Sequence, residues 1–262
     1  MTAVKKGKVL GVGSALLDIL ANVDDDFLKT VGGEKGGMVM IDAETADRLI
    51  RTLPPFQKVI GGSAANTIAG LQKLGMPTAF LGKVGTDAEG NYYRGEFERM
   101  GGDVSRFKTT PEVRTGRCIS LITPDSERTM RTDLGAAATF KVTEITADDF
   151  RDAAHLHIEG YMMFNMDVFL HVLKLAKDHG ATVSLDLASF EIVRTFRDRL
   201  DDILRRYVDV VFANEDEARE FLGHPGSFDP QEAAAALQEY CDVAAVKLGK
   251  QGACLRAGRE TV

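Results

Sequence analysis

"AHLHIEGYMMFNMDVFLHVLKLAKDHGATVSLDLA", residues 154 to 188, decides the fold. Two short apolar runs, "AHLHIEG" and "ATVSLDLA", enclose an amphipathic stretch in which Val168, Val172, Leu175 and Ala176 recur at helical spacing. Gly180 ends that stretch where a left-handed cap needs no Cβ. Strand, helix and strand in this order form a βαβ unit, and right-handed crossovers make its strands parallel. The period repeats downstream through "VDVVFAN" (208 to 214) and "VAAVKLG" (243 to 249), so the second half of the chain is a parallel ladder covered by helices.

Upstream, "KVLGVG" (8 to 13), a helix over 63 to 75, "TAFLGKVG" (78 to 85) and a helix ending at Gly101 and Gly102 extend the same sheet. Two segments interrupt the alternation. Residues 21 to 60 contain the strand-like "GMVMID", and 108 to 134 hold "GRCISLIT" and "ERTMRTD" around the turn "PDSE", as in a hairpin. Both are assigned to a small β-rich lid on an otherwise continuous α/β domain. The "DDD" at 24 to 26 reads as a solvated charge cluster.

Composition excludes several classes of function. The 262 residues, 44% hydrophobic and 27% charged, suit a globular chain, and the net charge of −7 disfavours nucleic acid or anionic lipid as a partner. No apolar run has the length of a membrane span. Lys5, Lys6 and Lys8 before "VLGVGSALLDILANV" imitate a signal peptide, but Asp18, Gly11 and Gly13 interrupt the apolar stretch. Cys118, Cys241 and Cys254 form no close pair, which suits a reducing compartment, so a cytoplasmic location is expected.

In an open parallel sheet the ligand crevice lies beyond the carboxyl ends of the strands. Strand 8 to 13 leads to Asp18, "HLHIEG" ends on Glu159, "VSLDLA" carries Asp186 and "VVFAN" ends on Asn214. Singly, each has a plainer role: Asp18 can cap a turn, Asp186 can cap a helix near Glu191, and Glu159 can be solvated. Four such groups at equivalent edges fit a shared polar ligand. "NEDE" (214 to 217) is a capping box that needs no ligand, yet a carboxylate there can also hold Mg²⁺ through water.

"GGSAANTIAGLQKLG" (61 to 75) starts a helix whose buried stripe is Ala64, Ile68 and Leu71. Gly61 and Gly62 can hinge the lid and let backbone approach a ligand, and Asn66 in the first turn offers donors and an acceptor to hydroxyls. "GVGSAL" (11 to 16) has Leu16 where a dinucleotide fingerprint needs its third glycine, which weakens a dehydrogenase reading. His155 and His157 share a strand face, but no carboxylate or Cys at ligand spacing supports a zinc site.

"GVGSALLDI" (11 to 19), "GGSAANTIAGLQKLG", "LGKVGTDAEG" (81 to 90), "ANEDEAR" (213 to 219) and "AVKLGKQGACL" (245 to 255) together resemble the PfkB/ribokinase family of carbohydrate and nucleoside kinases. "GSALLDI" and "RTMRTDLGAA" are most similar to adenosine kinases and the sugar kinases near them. The resemblance implies a ribokinase-like α/β fold, a mostly parallel sheet with helices on both faces and a β lid. It implies transfer of the γ-phosphoryl of ATP, assisted by Mg²⁺, to a primary hydroxyl. Asp18, Gly61, Gly62 and Asn66 match the acceptor site, with Glu159 as a further acceptor contact. Asn214, Glu217, Lys247 and Gly249 match the nucleotide and Mg²⁺-phosphate side, Glu217 acting through water; at Lys247 many relatives carry Thr.

The Gly-Ala-Gly-Asp segment that supplies the family's base and anion hole does not occur in residues 1 to 262. The catalytic Asp is therefore expected beyond Val262, in a C-terminal part of the fold missing from this chain, which by itself is expected to be inactive. A free sugar is the first expectation for the acceptor and adenosine or another nucleoside the second, for which Met38, Met40, Leu134 and Phe164 can supply apolar walls. A catalytically inactive sugar- or nucleoside-binding module is the third. An exposed lid edge also suits a homodimer.

Overall fold

The computed structural model describes residues 7 to 223 and 228 to 262; Lys5 and Lys6, invoked above for the signal-peptide imitation, lie outside them. In chain order the strands are β1 (Lys8–Val12), β2 (Leu16–Asn22), β3 (Met38–Met40), β4 (Phe56–Gly61), β5 (Thr78–Leu81), β6 (Lys83–Gly85), β7 (Lys108–Thr110), β8 (Thr115–Ile122), β9 (Arg128–Gly135), β10 (Ala153–Glu159), β11 (Thr182–Asp186), β12 (Val210–Asn214), β13 (Val243–Lys247), β14 (Ala253–Ala257) and β15 (Glu260–Thr261). The helices are α1 (Asp25–Val31), α2 (Ala43–Thr52), α3 (Ser63–Lys73), α4 (Ala88–Arg99), α5 (Met166–Asp178), α6 (Phe190–Tyr207), α7 (Glu215–Leu222) and α8 (Pro230–Gln238). They group into two compact units, one of residues 1–13, 76–78 and 141–262, the other of residues 14–75 and 79–140.

In the first unit the strands run in the order β15-β14-β13-β12-β11-β10-β1. β1, β10, β11, β12 and β13 are parallel, and β14 and β15 turn back antiparallel. The helix that opened the reading is α5. It buries Val168, Phe169, Val172, Leu173 and Ala176, and Gly180 follows it at φ 69°. Leu175, expected in the stripe, is only half-buried, because Phe169 and Leu173 carry the apolar face round toward β10 and β11.

The second unit is built on a five-stranded sheet in the order β3-β9-β8-β2-β4. The expected hairpin is present as β8 and β9, antiparallel from Thr115↔Gly135 to Ile122↔Arg128. The sheet extends past the expected lid segments by taking in β2, whose Leu16 to Asn22 pair in parallel with Gly116 to Ile122. That recruitment satisfies a backbone edge that β8 leaves open.

Residues 21 to 60 also hold more helix than a β-rich lid implies. Asp24 caps α1 by accepting from the Phe27 N–H at 2.7 Å, with Asp25 and Asp26 in the first turn, so the "DDD" cluster is a helix start. Asp42 caps α2 in the same way, accepting from the Thr45 N–H at 2.7 Å. Both helices pack Leu28, Ala46 and Leu49 onto Ile19, Ala21, Ile119 and Leu121 of the sheet. "TAFLGKVG" is likewise divided, β6 pairing in parallel with β7 in a separate two-stranded sheet. In α3 the buried positions are Ala64, Ala65, Ile68 and Gln72, with Leu71 half-buried in place of the expected core position. Among the described residues no helix is long and apolar enough to cross a membrane.

Candidate active site

Each unit carries one group of the expected site residues. In the first unit, parallel pairing brings the carboxyl ends of four strands side by side. Glu159 of β10 lies opposite Asp186 of β11, Asp186 opposite Phe212 of β12, and Asn214 opposite Lys247 of β13. The Lys247 ammonium pairs with the Asp186 carboxylate at 2.7 Å. Asp186 also accepts from the Ala188 N–H at 2.9 Å, holding Ala188 at φ 70°. Asp186 therefore does not cap α6; Ser189 does, accepting from the Ile192 N–H.

Asn214 and Glu217 form the expected capping box. The Glu217 N–H donates to Asn214 Oδ1 at 2.8 Å, and the Asn214 N–H donates to Glu217 Oε2 at 2.7 Å. Glu217 is only 1% exposed, and burial pushes its carboxyl up to about 7. The Asn214 N–H and the Lys247 charge oppose that rise, while Asp186 and Asp216 add to it. Glu159 is buried at the same edge. Beside it the Tyr161 hydroxyl is raised to about 12, chiefly by burial, with Glu159 contributing. Gly249 opens the turn after β13 at φ 54°, a conformation that favours glycine.

Glu217 and Asp186 offer only hard oxygen donors. Among the described residues no cluster of three or more His, Cys, Asp and Glu side chains gathers to hold an ion. Hard oxygen donors of this kind suit Mg²⁺ held through water and substrate phosphates, and Glu217 would be the residue to hold it. His155 and His157 are engaged otherwise, both against Ser184 Oγ at 2.8 Å and His155 also against Thr182 Oγ1 at 2.7 Å. Burial pulls His157 down to about 4.

The second unit holds Asp18, Gly61, Gly62 and Asn66. Asp18 does not end a strand of the parallel sheet; it sits within β2, between Val59 of β4 and Cys118 of β8. No hydrogen bond or ion pair to another described residue satisfies its carboxylate, and burial raises it to about 6 against the pull of Arg128. Gly61 makes room for it: a Cβ there would lie 2.1 Å from Asp18 Oδ1. The Gly61 carbonyl accepts from the Tyr93 hydroxyl at 2.7 Å.

Gly62, at φ 98°, precedes α3, and a Cβ on it would lie 2.3 Å from the Ser14 carbonyl oxygen. Both glycines are interior to the second unit. What they provide here is close approach of backbone to Asp18 and Ser14. Asn66 is exposed in the first turn of α3. Met38, Met40 and Leu134 lie on β3 and β9 of this unit, whereas Phe164 belongs to the first and packs edge-on against Phe196.

One participant and one pairing were beyond the sequence reading. Cys118 flanks Asp18 through strand register alone, its buried thiol accepting from Thr132 Oγ1 and raised to about 11. Asp186 was legible as a strand-end acid, but its pairing with Lys247 spans 61 residues and leaves no local signal.

The pfkB family carbohydrate kinase model matches residues 31–262, and the chain belongs to that family. The structure is similar to an adenosine kinase from Sinorhizobium meliloti, with a TM-score of 0.89 and 31% identity over 98% of this chain and 79% of that one. It is also similar to a probable sugar kinase from Rhizobium etli, with a TM-score of 0.88 and 32% identity over 98% and 78% of the two chains. In sequence it is 29% identical to the adenosine kinase of Saccharomyces cerevisiae over 221 residues, 80% of this chain and 64% of that protein. The chain spans 64% of the length of the adenosine kinases it matches in yeast, Dictyostelium discoideum and Arabidopsis thaliana. The fold is ribokinase-like, as the sequence resemblance implied.

Proposed function

We propose that these residues bind a hydroxylated sugar ring through Asp18 and the phosphates of ATP through the strand-end group, for Mg²⁺-assisted transfer of the γ-phosphoryl to a primary hydroxyl. One observation carries the reading: Asp18 is a half-buried carboxylate with no partner among the described residues, lying against Gly61, where any side chain would collide with it. A carboxylate in that state costs free energy unless donors reach it, and the adjacent hydroxyls of a sugar ring are such donors.

Phosphoryl transfer depends on positioning and charge neutralisation. Lys247, Asn214 and Gly249 are assigned the phosphate side, and Mg²⁺ when bound neutralises charge on the phosphates. No described residue is assigned the role of base, so the reading gives these residues binding and positioning.

Similarity to the Sinorhizobium adenosine kinase supports a nucleoside acceptor, adenosine first, over the free sugar expected from the sequence. Similarity to the Rhizobium probable sugar kinase supports a sugar as the second reading. Titration calorimetry of the chain with adenosine, inosine, ribose and fructose tests both. Saturable binding of adenosine, strongly weakened in Asp18→Asn, is the expected result; binding of none of the four overturns the proposal. ADP release with the bound acceptor then measures turnover. A homodimer through the sheet edge at β4, where Phe56 and Val59 are exposed, and a cytoplasmic location, consistent with three free cysteines, belong to the same proposal.

A further inference from the structure

The two sides of the five-stranded sheet differ in chemistry. Successive residues of a strand point to opposite faces, and residues opposite each other in register share a face. Asp18, Cys118 and Thr132 are linked by register and form the acceptor face. Ile119 and Arg131 are register partners on the other face, where Ile119 packs against α1 and α2.

Two arginines are buried on that far face, and their surroundings contrast. Arg117, 4% exposed, pairs with Asp47 at 2.7 Å and Asp133 at 3.2 Å. Arg131, 2% exposed, has no carboxylate partner among the described residues and donates only to the carbonyl oxygens of Gly32 and Met130. Burial without a counter-charge pulls its pKa down, whereas the pKa of Arg117 is raised. A buried guanidinium facing two neutral acceptors leaves its charge uncompensated, and a bidentate anion is the group that completes it.

Arg131 also lines a cavity of about 470 Å³. Its apolar walls are Phe27, Val31, Val39, Ile41 and Leu49, drawn from α1, β3 with the residue after it, and α2. This volume lies within the range of roughly 300 to 1,000 Å³ common for small-molecule sites. Thr30, Thr45, Thr52 and Arg48, which pairs with Glu44 at 2.9 Å, also line the cavity. A largely apolar cleft with one arginine that no carboxylate pairs with matches a ligand with one anionic end and an apolar body.

We propose that this cavity is a second ligand site, on the face opposite Asp18, for a small amphiphile whose carboxylate or phosphate pairs with Arg131 and whose hydrocarbon part fills the space between α1 and α2. Octanoate, octyl phosphate and the neutral octanamide are the probes. Calorimetry on the full chain is expected to give one saturable site for an anionic probe, at least about tenfold tighter than octanamide, since a charge-assisted bidentate pair is lost with the amide. Tighter binding of octyl phosphate marks a phosphate ligand, and tighter binding of octanoate a carboxylate.

The chain contains no tryptophan, so Phe27→Trp places a single fluorophore in the cavity wall. Its emission is expected to shift with the same saturation curve. Arg131→Met is expected to bind octanoate and octanamide alike. The proposal fails if neither anion saturates, if wild-type protein binds octanamide as tightly as both anions, if the indole emission of Phe27→Trp stays unmoved, or if Arg131→Met keeps its preference for anions. The first three readouts do not depend on the folding of Arg131→Met.

Discussion

Asp18 and Glu217 are both carboxylates that burial pushes upward, to about 6 and about 7, yet their surroundings differ. Glu217 is held by the backbone N–H of Asn214 and has a lysine among its nearby charges. Asp18 has no hydrogen-bonding or ion-pairing partner among the described residues, and a glycine lies against it where any side chain would collide. The first carboxylate completes a helix start. The second contributes nothing evident to the fold, and the proposed function assigns its cost to a ligand.

Asp18→Asn breaks that contrast most sharply. It is expected to weaken acceptor binding by about 100-fold, near 2.7 kcal/mol, because two charge-assisted hydrogen bonds become neutral ones. Thermal stability should stay level or rise, which a melting curve beside the calorimetry checks. Equal losses of stability and affinity would make Asp18 a structural residue.

Gly61→Ala comes next. Its Cβ would meet Asp18 Oδ1 at 2.1 Å, a collision expected to cost about 1–3 kcal/mol in urea unfolding. In an Asp18→Ala background the colliding oxygen is gone and most of that cost should vanish; additive losses would place the clash elsewhere.

The pH response separates the two acids further. The folded-state pKa of Glu217 lies above its ordinary 4.5, so the folded protein holds a proton that the unfolded chain gives up. Its contribution to stability is full below about 4.5 and lost as pH rises through about 7. Glu217→Gln keeps an acceptor for the Asn214 N–H and removes the titration. Relative to wild type it should gain on the order of 1–3 kcal/mol between pH 5 and pH 8. Asp18→Asn should show the corresponding flattening around pH 6, from a contribution full below about 3.8. Denaturation midpoints at half-unit pH steps reveal both, and an unchanged slope in Glu217→Gln would mean the carboxyl is already ionised.

Asn66→Ala is the mildest test. The side chain is exposed on α3, so stability should move by no more than about 0.5 kcal/mol. Acceptor affinity should fall about fivefold, as for one lost neutral hydrogen bond.

Most of the local structure was legible in the residues. The period of α5, the glycine stop at Gly180, the capping box at Asn214 and Glu217, and the turn between β8 and β9 are short-range patterns set by backbone geometry and side-chain alternation. The strand-end positions of Glu159, Asp186 and Asn214 followed from the parallel ladder.

The misplacements share one cause. Spacing alone puts Asp18 at the edge of the parallel sheet because β1 and β2 are separated by three residues, but β2 pairs with β8, about 100 residues away. Register between distant strands depends on which edges are open and which faces need cover, and no window of sequence contains that information. Composition alone makes the "DDD" run a solvated cluster, although an Asp ahead of an apolar-periodic stretch is also a helix-start signal.

By itself, then, the sequence determined the alternation of strands and helices, the family to which the chain belongs and most of the polar groups of the candidate site, because these are written in short-range spacing. Only the tertiary structure decided which sheet holds Asp18, that Lys247 neutralises Asp186, and that Arg131 is buried without a counter-charge. Pairing, burial and compensation of charge are properties of residues brought together from far apart.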